Sequence, residues 1–514
     1  MITLINPPGF KSFSGLQTHV PNPPLGLAYI TGALKAAGLP CHVIDATGEA
    51  LDRIRQYPEC PDFMVQGLLP DEVVTRIPAS TRIVGITCLF SSLWPLTRDL
   101  AGRIRARFPD AVLVLGGEHG TALAEFVLTT SAFDVVVLGE GEETAVELFR
   151  AVLDGRSYRD LPGLAIVEDG RVINNGLSPR KKQVDEIPLP DWDSFPIGAY
   201  IDNDQMNGLN MGRSMPLLAT RGCPYQCTFC SSPNMWTQRY IPRSPKAVAD
   251  EIELYVRKYR VRNIDFQDLT AIVNRRWALA FCQELVDRNL NITWQMPSGT
   301  RSEVFDEEVT NWLYRSGCRA LSFAPETGAP VMLATIKKQV DLDCMMRAIR
   351  TTVRQGFNLS CFFVIGFPEE TAETLKQTRR FIRKLALLGV DEVSIGKFVP
   401  YPGSAMFRRL LADGKVTLTD DFFITPMYMF SAKSPSFAER VSARQLYRNM
   451  VWMYASFFLL SFLRHPLRPL RILARAILTG HEESRYAKWL VDRVWARRRW
   501  RRAAAGLAAT HDAR

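Results

Sequence analysis

Histidine is scarce in this chain. Its 514 residues contain six histidines, and none lies between Gly120 and Arg464. A structural zinc ion needs four nitrogen or sulfur ligands in tetrahedral geometry, so this long central stretch offers only cysteine for such a site. The ten cysteines follow no disulfide-framework spacing, which in a long chain indicates a reducing compartment. Zinc and disulfides are therefore the weaker alternatives for any cysteine motif found there.

The sequence also offers no obvious membrane anchor or leader. The apolar run 450–463 has fourteen residues, whereas a spanning helix takes about 20. Residues 1–8 read as a first strand running into a turn, without a basic segment before it, so no secretory signal is predicted. We therefore expect a cytoplasmic protein.

Positive charge is concentrated at the C-terminal end. Residues 464–514 contain thirteen Lys or Arg against four Asp or Glu, so they carry +9 of the chain's +10. The nearly neutral remainder argues against nucleic acid as a partner. The tail, which includes Trp489, Trp495 and Trp500, leaves two interpretations open. It is a segment lying peripherally on the inner face of a membrane, or a helix that caps the preceding domain with a solvated basic end.

The most informative feature is residues 221–230, Arg-Gly-Cys-Pro-Tyr-Gln-Cys-Thr-Phe-Cys. The CxxxCxxC spacing supplies three thiolates, from Cys223, Cys227 and Cys230, to one iron–sulfur cluster. A cubane cluster has four irons. One iron is therefore left without a protein ligand and is open to a small chelating molecule.

This motif, with Phe229 directly before the last cysteine, resembles the radical S-adenosylmethionine (SAM) superfamily. The resemblance implies a [4Fe-4S] cluster whose open iron chelates SAM, with Phe229 near the adenine. It also implies reductive cleavage of SAM to a 5′-deoxyadenosyl radical that abstracts hydrogen from an unactivated carbon. The cofactors carry this chemistry, and the protein supplies position and a dry cavity. An electron donor of flavodoxin or ferredoxin type is the implied partner.

The first 150 residues alternate apolar strands with amphipathic helices, which predicts an α/β fold with a parallel sheet covered on both faces. The predicted strands are 2–6, 42–45, 83–90, 111–115 and 135–138, and the predicted helices include 26–37, 95–107 and 142–153. Ligands of such sheets lie beyond the carboxyl ends of the strands. Unusual residues collect there: Asp45, Thr47, Ser91, Ser92, Leu93, Gly116, Gly117, Glu118, His119, Gly139, Glu140 and Gly141.

In this order these residues resemble a Rossmann-like, flavodoxin-type cobalamin-binding domain, whose pattern is Asp-x-His-x-x-Gly, then Ser-x-Leu, then Gly-Gly. The chain departs from the pattern at Thr47, where histidine is expected, and at Ala50, so the lower axial histidine is missing. The opening Pro24-Leu25-Gly26 is similar to the cobalamin-dependent branch of the radical SAM superfamily. Two alternatives are a degenerate domain kept for interactions and His119 as a replacement ligand, although a histidine after a Gly-Gly turn is more often a polar loop contact.

The next segment predicts a hairpin at 163–173, because Asp-Gly suits a type I′ turn. The proline-rich residues 187–193 cannot form a regular helix or a central strand, so they should lie across a domain junction. From 215 to 404 the sequence predicts six strand–helix units, a partial TIM-like barrel, with strands at 216–220, 263–266, 292–295, 320–324, 359–365 and 392–398. The predicted domains are 1–160, a connector 161–205, the barrel 206–405 and a helical region 406–514.

Barrel enzymes place their chemistry at the C-terminal ends of the strands. This rule puts Asp268, Arg301, Glu326 and Tyr401 around the same mouth as the three cysteines. The resemblance implies that SAM contacts a set of residues at this mouth: Gln267, Asp268, Arg301, Glu326, Gly366 and Pro368. Glu326 and Tyr401 are the candidate catalytic residues. The alternative for each residue is a helix cap or a rim salt bridge.

The sequence therefore predicts a cobalamin-dependent radical SAM enzyme that methylates an unactivated carbon of a small-molecule or lipid-like substrate through methylcobalamin. An alternative keeps both cofactors and replaces methylation by ring formation, ring contraction or oxidation, as in relatives resembling the oxidative porphyrin cyclase. A third class is a membrane-associated scaffold that holds a cluster and never cleaves SAM.

Overall fold

The computed structural model describes residues 1–11, 21–57, 63–467 and 474. The strands of its N-terminal part are β1 (Ile2–Asn6), β2 (Gly9–Lys11), β3 (Cys41–Asp45), β4 (Ile54–Gln56), β5 (Met64–Gln66), β6 (Ile83–Thr87), β7 (Val112–Gly116), β8 (Val135–Val137), β9 (Leu164–Glu168) and β10 (Arg171–Asn174). The helices are α1 (Leu25–Ala36), α2 (Pro70–Arg76), α3 (Trp94–Arg107), α4 (Glu118–Ala122), α5 (Ala124–Thr130), α6 (Glu142–Asp154) and α7 (Ile197–Asp202).

The main N-terminal sheet has the order β10-β9-β8-β7-β6-β1-β3. The strands β3, β1, β6, β7 and β8 run parallel, which is the 2-1-3-4-5 order of flavodoxin-like folds. The central strands are buried and apolar, as expected for a sheet covered by helices on both faces. The chain order reverses between β1 and β6, so a ligand crevice is expected beyond the carboxyl ends of these strands.

The predicted hairpin is present but belongs to this first sheet. β9 pairs antiparallel with β8, and β10 pairs with β9. Asp169 and Gly170 between them have φ values of 49° and 73°, as a type I′ turn requires. The predicted strand 83–90 is too long, because β6 ends at Thr87.

The proline-rich connector lies across the junction, as predicted. The Asp191 backbone N–H donates to the carbonyl of Ala28 in α1 at 2.9 Å. The indole N–H of Trp192 donates to the hydroxyl of Tyr255 at 3.0 Å, and Tyr255 lies on the first long helix of the barrel. One continuous hydrophobic core runs from the first sheet into the second domain.

The second domain is a six-stranded parallel sheet with the order β11-β14-β15-β16-β17-β18. Its strands are β11 (Ser214–Leu217), β12 (Thr220–Arg221), β13 (Ile241–Pro242), β14 (Asn263–Phe266), β15 (Thr293–Thr300), β16 (Cys318–Glu326), β17 (Asn358–Ile365) and β18 (Glu392–Lys397). The helices from here on are α8 (Ser232–Trp236), α9 (Pro245–Tyr259), α10 (Arg275–Arg288), α11 (Glu307–Arg315), α12 (Pro330–Thr335), α13 (Leu342–Gln355), α14 (Ala372–Leu388), α15 (Ala405–Ala412), α16 (Asp420–Ile424) and α17 (Ala443–Arg464). The predicted strand 292–295 is too short, because β15 continues to Thr300 through an irregular register with β16.

Helix α17 contains the apolar run of the sequence and packs beside the last barrel strand. Met450, Met453 and Phe457 are fully buried, and the hydroxyl of Tyr454 accepts a hydrogen bond from the Ile395 N–H at 2.7 Å. The helix thus covers an edge strand whose unpaired backbone would otherwise be exposed. The described residues contain no helix that is both long and apolar enough for a membrane span. The predicted basic, tryptophan-bearing segment lies almost entirely outside them.

Candidate active site

The cysteine loop follows the first barrel strand and is fixed at both sides. Gly222 has a φ of 86°, and a Cβ there would lie 2.2 Å from the Arg239 carbonyl oxygen, so only glycine fits before the first cysteine. The Thr228 N–H donates to the Ile336 carbonyl at 3.0 Å, and the Met406 N–H donates to the Thr228 carbonyl at 2.9 Å. The loop therefore rests on the segments that follow β16 and β18.

The chemistry of the cysteines fits an anionic cluster. Burial raises the pKa of Cys227 to about 11, and the positive charge of Lys338 opposes that shift. Burial also raises the pKa of Cys223, against the Tyr225 backbone N–H and the cations Lys338 and Arg301. Because the thiolate is the ligand form, both cations favour cluster binding. The described residues hold no group of three His, Cys, Asp or Glu side chains arranged for a single metal ion, and a cubane cluster binds each cysteine to a different iron.

Three of the predicted SAM-contacting residues at the barrel mouth have either a buried hydrogen-bond donor without a partner in the described chain or a strained backbone conformation. Glu326 ends β16 with a φ of 63°, a rare conformation for a side-chain-bearing residue, and its carboxylate pairs with the Lys338 ammonium at 2.8 Å. The Arg301 guanidinium lies 3.8 Å from the centre of the Tyr225 ring. Its buried Nη1, like the buried Nε2 of Gln267, has no hydrogen-bond partner within the described part of the chain. Such donors fit the carboxylate and hydroxyl oxygens of SAM.

Asp268 has a different environment. Its carboxylate accepts hydrogen bonds from the Ala219 N–H at 3.1 Å, the Thr220 N–H at 2.6 Å and the Thr220 hydroxyl at 2.5 Å. Burial raises its pKa to about 6, against these bonds. The Asp268 carboxylate thus fixes the backbone of the segment that leads into the cysteine loop.

The remaining predicted SAM-contacting residues pack behind the loop. The ring of Phe229 lies 5.5 Å from that of Phe367, which stands between Gly366 and Pro368. A Cβ on Gly366 would lie 2.6 Å from the Leu446 side chain of α17. The Pro368 carbonyl accepts from the Glu439 N–H at 2.9 Å. Helix α17 and the preceding turn therefore support this wall.

Tyr401 lies in the turn after β18 and keeps 38% of its surface exposed. Its turn packs on α8, because a Cβ at Gly403 would lie 1.8 Å from the side-chain nitrogen of Asn234 and 3.0 Å from the Ala122 side chain. Ala122 belongs to the N-terminal domain. The Tyr401 turn, the cysteine loop and the first domain therefore meet at one place.

On the side of the first sheet, the two residues of the Asp-x-Thr pattern are satisfied internally. The Asp45 carboxylate accepts from the Asn6 side chain at 2.7 Å, from the Gly48 N–H at 3.0 Å and from the Tyr200 hydroxyl at 3.0 and 3.1 Å. The Thr47 hydroxyl donates to the Pro7 carbonyl at 3.0 Å. These hydrogen bonds fix the backbone conformation at the carboxyl ends of β1 and β3.

His119 is buried in the core and is not the polar loop contact that was expected. It lies in α4, stacks on Trp94 with 4.7 Å between ring centres, and meets the edge of Phe423 at 5.2 Å. One ring nitrogen bonds to the Ser91 hydroxyl at 2.9 Å. Burial lowers the pKa of His119 to about 3, so the ring is neutral at physiological pH. Ser92 is buried next to it, and Leu93 packs into the same core.

An exposed apolar surface lies beyond β6 and was missed in the sequence. Leu89 is 53% exposed and Phe90 62% exposed, because the strand ends before them. On the neighbouring β7, a Cβ at Gly116 would meet only open space, whereas one at Gly117, with a φ of 105°, would lie 2.7 Å from the Cys88 carbonyl. Open space, glycine backbone and exposed apolar side chains fit the flat face of a corrin ring. The signal in the sequence was an apolar run that continued past the strand.

A buried ion cluster joins the two domains directly beside the first cysteine. The Arg221 guanidinium pairs with Glu140 at 3.2 Å and with Glu142 at 2.6 Å, while Arg180 pairs with Glu140 at 2.9 Å. All four side chains are at most 10% exposed. Arg221 also lies 4.8 Å from the ring centre of Tyr29 in α1, the helix that Pro24, Leu25 and Gly26 open. We call Arg221, Arg180, Glu140 and Glu142 the interdomain ion cluster. Of these four residues, only Glu140 was predicted from the sequence to be a site residue.

Glu118 provides a second junction between the domains. Ser231 and Asn234, directly after the cysteine loop, lie beside its carboxylate, and burial raises its pKa to about 7, a shift that Ser231 opposes. Nearby, the Thr121 hydroxyl contacts the sulfur of Met235 at 3.6 Å and accepts from the Gly139 N–H at 3.0 Å. Gly141 begins α6 beside the interdomain ion cluster. The carboxyl edge of the first sheet thus lies against the cysteine loop.

Comparison with known families matches both halves of this arrangement. Residues 217–382 match the radical SAM superfamily, and residues 16–149 match the B12 binding domain.

The chain is also similar to whole proteins. It is 29% identical over 394 residues to an uncharacterised methyltransferase of Pyrococcus horikoshii, covering 76% of this chain and 79% of that protein. It is 30% identical over 415 residues to the anaerobic magnesium-protoporphyrin IX monomethyl ester cyclase of Rubrivivax gelatinosus, covering 79% of this chain and 69% of the cyclase. A solved structure, the radical SAM methyltransferase TsrM of Kitasatospora setae with cobalamin and a [4Fe-4S] cluster bound, superposes with a TM-score of 0.65 at 17% identity over 88% of this chain and 90% of that one.

The fold and the site define an α/β enzyme with a cobalamin-binding sheet set against a radical SAM barrel. The chain belongs to the cobalamin-binding radical SAM family. Its cofactors are a [4Fe-4S] cluster, SAM and cobalamin, as the sequence predicted. Methyltransferases among its relatives support the predicted reaction class, and the cyclases fit the alternative.

Proposed function

We propose that this enzyme transfers a methyl group to an unactivated carbon of a small-molecule substrate. One observation carries the proposal: the carboxyl edge of the cobalamin-binding sheet lies against the cysteine loop through the interdomain ion cluster and Glu118. When bound, SAM with the reduced cluster supplies a hydrogen-abstracting radical, and cobalamin supplies the methyl group. A substrate between the two edges is within reach of both, which is the positional requirement of a two-cofactor reaction.

The residues at the mouth take separate roles in this proposal. Cys223, Cys227 and Cys230 hold the cluster. Arg301 and Gln267 donate hydrogen bonds to SAM with the atoms that have no partner among the described residues, and the Glu326–Lys338 pair fixes the polar end of the site. The half-exposed Tyr401 contacts the substrate. On the opposite side, Leu89 and Phe90 cover one face of cobalamin, and Gly116 and Gly117 admit its tail.

The test is product analysis after anaerobic incubation of the reconstituted enzyme with SAM and dithionite. We expect both 5′-deoxyadenosine and S-adenosylhomocysteine by mass spectrometry. Deoxyadenosine alone would contradict methyl transfer and support the radical path without it. Neither product, from an enzyme with a full cluster, would support the scaffold.

A second candidate function is radical-mediated ring formation or oxidation without methyl transfer. The 30% identity to the magnesium-protoporphyrin ester cyclase favours it. A tetrapyrrole is large and apolar, and exposed apolar side chains follow strands on both edges: Leu89, Phe90, Leu269 and Tyr401. Incubation with a magnesium-protoporphyrin ester distinguishes the candidates, because a cyclase would oxidise the ester without forming S-adenosylhomocysteine.

We further infer a cytoplasmic enzyme that draws single electrons from a carrier protein. The cysteines of the described residues are free, which suits a reducing compartment. Contact with the inner face of a membrane is supported by four exposed apolar residues at and after the end of α17, which are Leu459, Phe462, Leu463 and Leu467, and by the basic residues that follow. Flotation with anionic liposomes, but not with neutral ones, is the expected result; no flotation would contradict the membrane contact.

A further inference from the structure

A groove of 710 Å³ lies on the flank of the barrel, between α12, α13 and α14. Its lining combines apolar side chains such as Leu333 and Phe381 with the cations Arg380 and Lys384 and the carboxylates Asp341 and Asp343. It lies outside the barrel mouth, and neither the SAM contacts nor the cobalamin contacts proposed above use it, apart from Lys338 in its wall.

The surface around this groove is strongly basic. Residues 337–384 contain ten Lys or Arg against five Asp or Glu, whereas all residues before the C-terminal tail together carry about +1. Seven of the cations are exposed: Lys337, Arg347, Arg350, Arg354, Lys376, Arg380 and Lys384. Among these seven, and within the part of the chain that the structure describes, only Lys376 forms an ion pair, with Glu373 at 3.5 Å. Three exposed carboxylates, Asp341, Asp343 and Glu373, offset part of this charge, and the excess of seven cations over three carboxylates favours an acidic partner.

The groove is separated from the cysteine loop by one segment of chain. The Thr228 N–H, between the second and third cysteines, donates to the Ile336 carbonyl at 3.0 Å. Two and three residues further on, Lys338 and Gln339 line the groove. The inner side of the same segment contacts residues at the barrel mouth, because Lys338 pairs with Glu326 at 2.8 Å and the Gln339 carbonyl accepts a hydrogen bond from Arg301. A protein seated on the groove therefore has only the segment 336–340 between itself and the cysteine loop.

We propose that this groove and the basic surface around it dock a small acidic one-electron carrier protein that reduces the cluster. The proposal rests on the function proposed above, because only reductive cleavage of SAM requires such a partner. In each encounter the carrier loses one electron and the cluster gains it. The electron then passes to the sulfonium of SAM, whose bond from sulfur to the 5′ carbon breaks to give methionine and the 5′-deoxyadenosyl radical. Redox partners of this kind form small, transient interfaces that are steered by charge.

The test reverses charge on the groove and, as a matched control, elsewhere. The groove variants are Arg380→Glu/Lys384→Glu and Arg347→Glu/Arg350→Glu. The control is Arg107→Glu/Arg276→Glu, which makes the same charge change at exposed residues of α3 and α10. Iron content and the cluster absorbance verify that each variant is loaded. Stopped-flow absorbance then measures cluster reduction by reduced flavodoxin, by reduced [2Fe-2S] ferredoxin and by dithionite, which needs no docking.

We expect reduction by at least one of the two carriers to fall tenfold or more in both groove variants at low salt, and to fall with salt in the natural protein. Binding of the oxidised carrier, measured by thermophoresis, should weaken in parallel, while dithionite reduction and the control variant stay unchanged. Equal rates in the groove variants and the natural protein, or an equal loss in the control, would overturn the docking site. A loss with dithionite as well would also overturn it, because it would reveal a structural defect. If dithionite reduces the cluster of the natural protein without SAM cleavage, the proposed function fails instead.

Discussion

The two edges that meet at the site are built in different ways. At the carboxyl edge of the cobalamin-binding sheet, the Asp-x-Thr residues are satisfied by the protein itself, Asp45 by Asn6 and Tyr200 and Thr47 by the Pro7 carbonyl, while within the described residues His119 bonds Ser91 through one ring nitrogen only. At the barrel mouth, Arg301 and Gln267 keep buried donors that no residue of the described chain satisfies. The first edge therefore offers shape and apolar surface, and the second offers directed hydrogen bonds and charge.

This difference matches the two ligands. Cobalamin is large, and its ring can be held by broad apolar contact, whereas SAM and the cluster are small and charged and need specific donors. Changes at the barrel mouth should therefore abolish SAM cleavage, whereas changes at the cobalamin edge should only weaken cobalamin binding by degrees.

The largest expected effect is at the cysteine loop. Cys227→Ala should lose the cluster and all 5′-deoxyadenosine formation while cobalamin binding persists, because the corrin contacts belong to the other domain. Iron analysis, mass spectrometry and the cobalamin absorbance measure the three quantities. Cys344→Ala, at a half-buried cysteine of α13, is the control and should keep all three. SAM cleavage by the Cys227 variant would refute the assignment of the loop.

The interdomain ion cluster comes next. Arg221→Met leaves Glu140 and Glu142 buried with only Arg180 as a partner, and loss of one member of a buried pair costs about 3 to 5 kcal/mol. We expect a lower melting temperature and a fall in S-adenosylhomocysteine relative to deoxyadenosine, because the two edges lose their alignment. Arg257→Met removes an exposed pair with Glu253 and should change neither. An unchanged product ratio in the Arg221 variant would contradict the positioning role.

Glu118 predicts a pH dependence of stability. Its pKa is raised from 4.5 to about 7 in the folded protein, so between these values the unfolded chain is ionised while the folded chain keeps the proton. Stability therefore falls as pH rises through this window, by about 3 kcal/mol in all, and is constant above it. Glu118→Gln should remove that fall, as thermal unfolding of the apoprotein from pH 4.5 to 8 can measure. Parallel curves for both proteins would show that Glu118 ionises normally.

The smallest effect is expected at the corrin surface. Leu89→Ser removes the apolar contact of about half a leucine side chain with cobalamin. Loss of that contact costs about 1 kcal/mol of binding free energy, which corresponds to about fivefold weaker binding. Leu387→Ser on α14 is matched in exposure, 52% against 53%, and should leave binding unchanged. Equilibrium titration with cobalamin compares the two. Equal affinities would mean that the ring lies elsewhere.

Much of this arrangement could be predicted from the sequence, because local patterns encode it. The strands β1 and β14 were predicted to the residue, and the cysteine spacing indicated an iron–sulfur cluster, the cofactor that the family match supports. The extent of β6 could not be predicted, since Cys88, Leu89 and Phe90 are as apolar as the strand before them, and only tertiary structure buries Cys88 and exposes Leu89 and Phe90. The interdomain ion cluster also could not be predicted, because Arg180 and Arg221 are far from Glu140 in sequence and charged residues show no periodic pattern.

The central claim is that the two cofactors border one space. Electron paramagnetic resonance of the enzyme loaded with the reduced cluster and with cob(II)alamin tests it most directly. Two paramagnetic centres that face each other across a substrate-sized gap should broaden or split each other's spectra, and the Cys227→Ala variant should restore the simple cobalamin spectrum. A spectrum of the doubly loaded enzyme that equals the sum of the two separate ones would contradict the account.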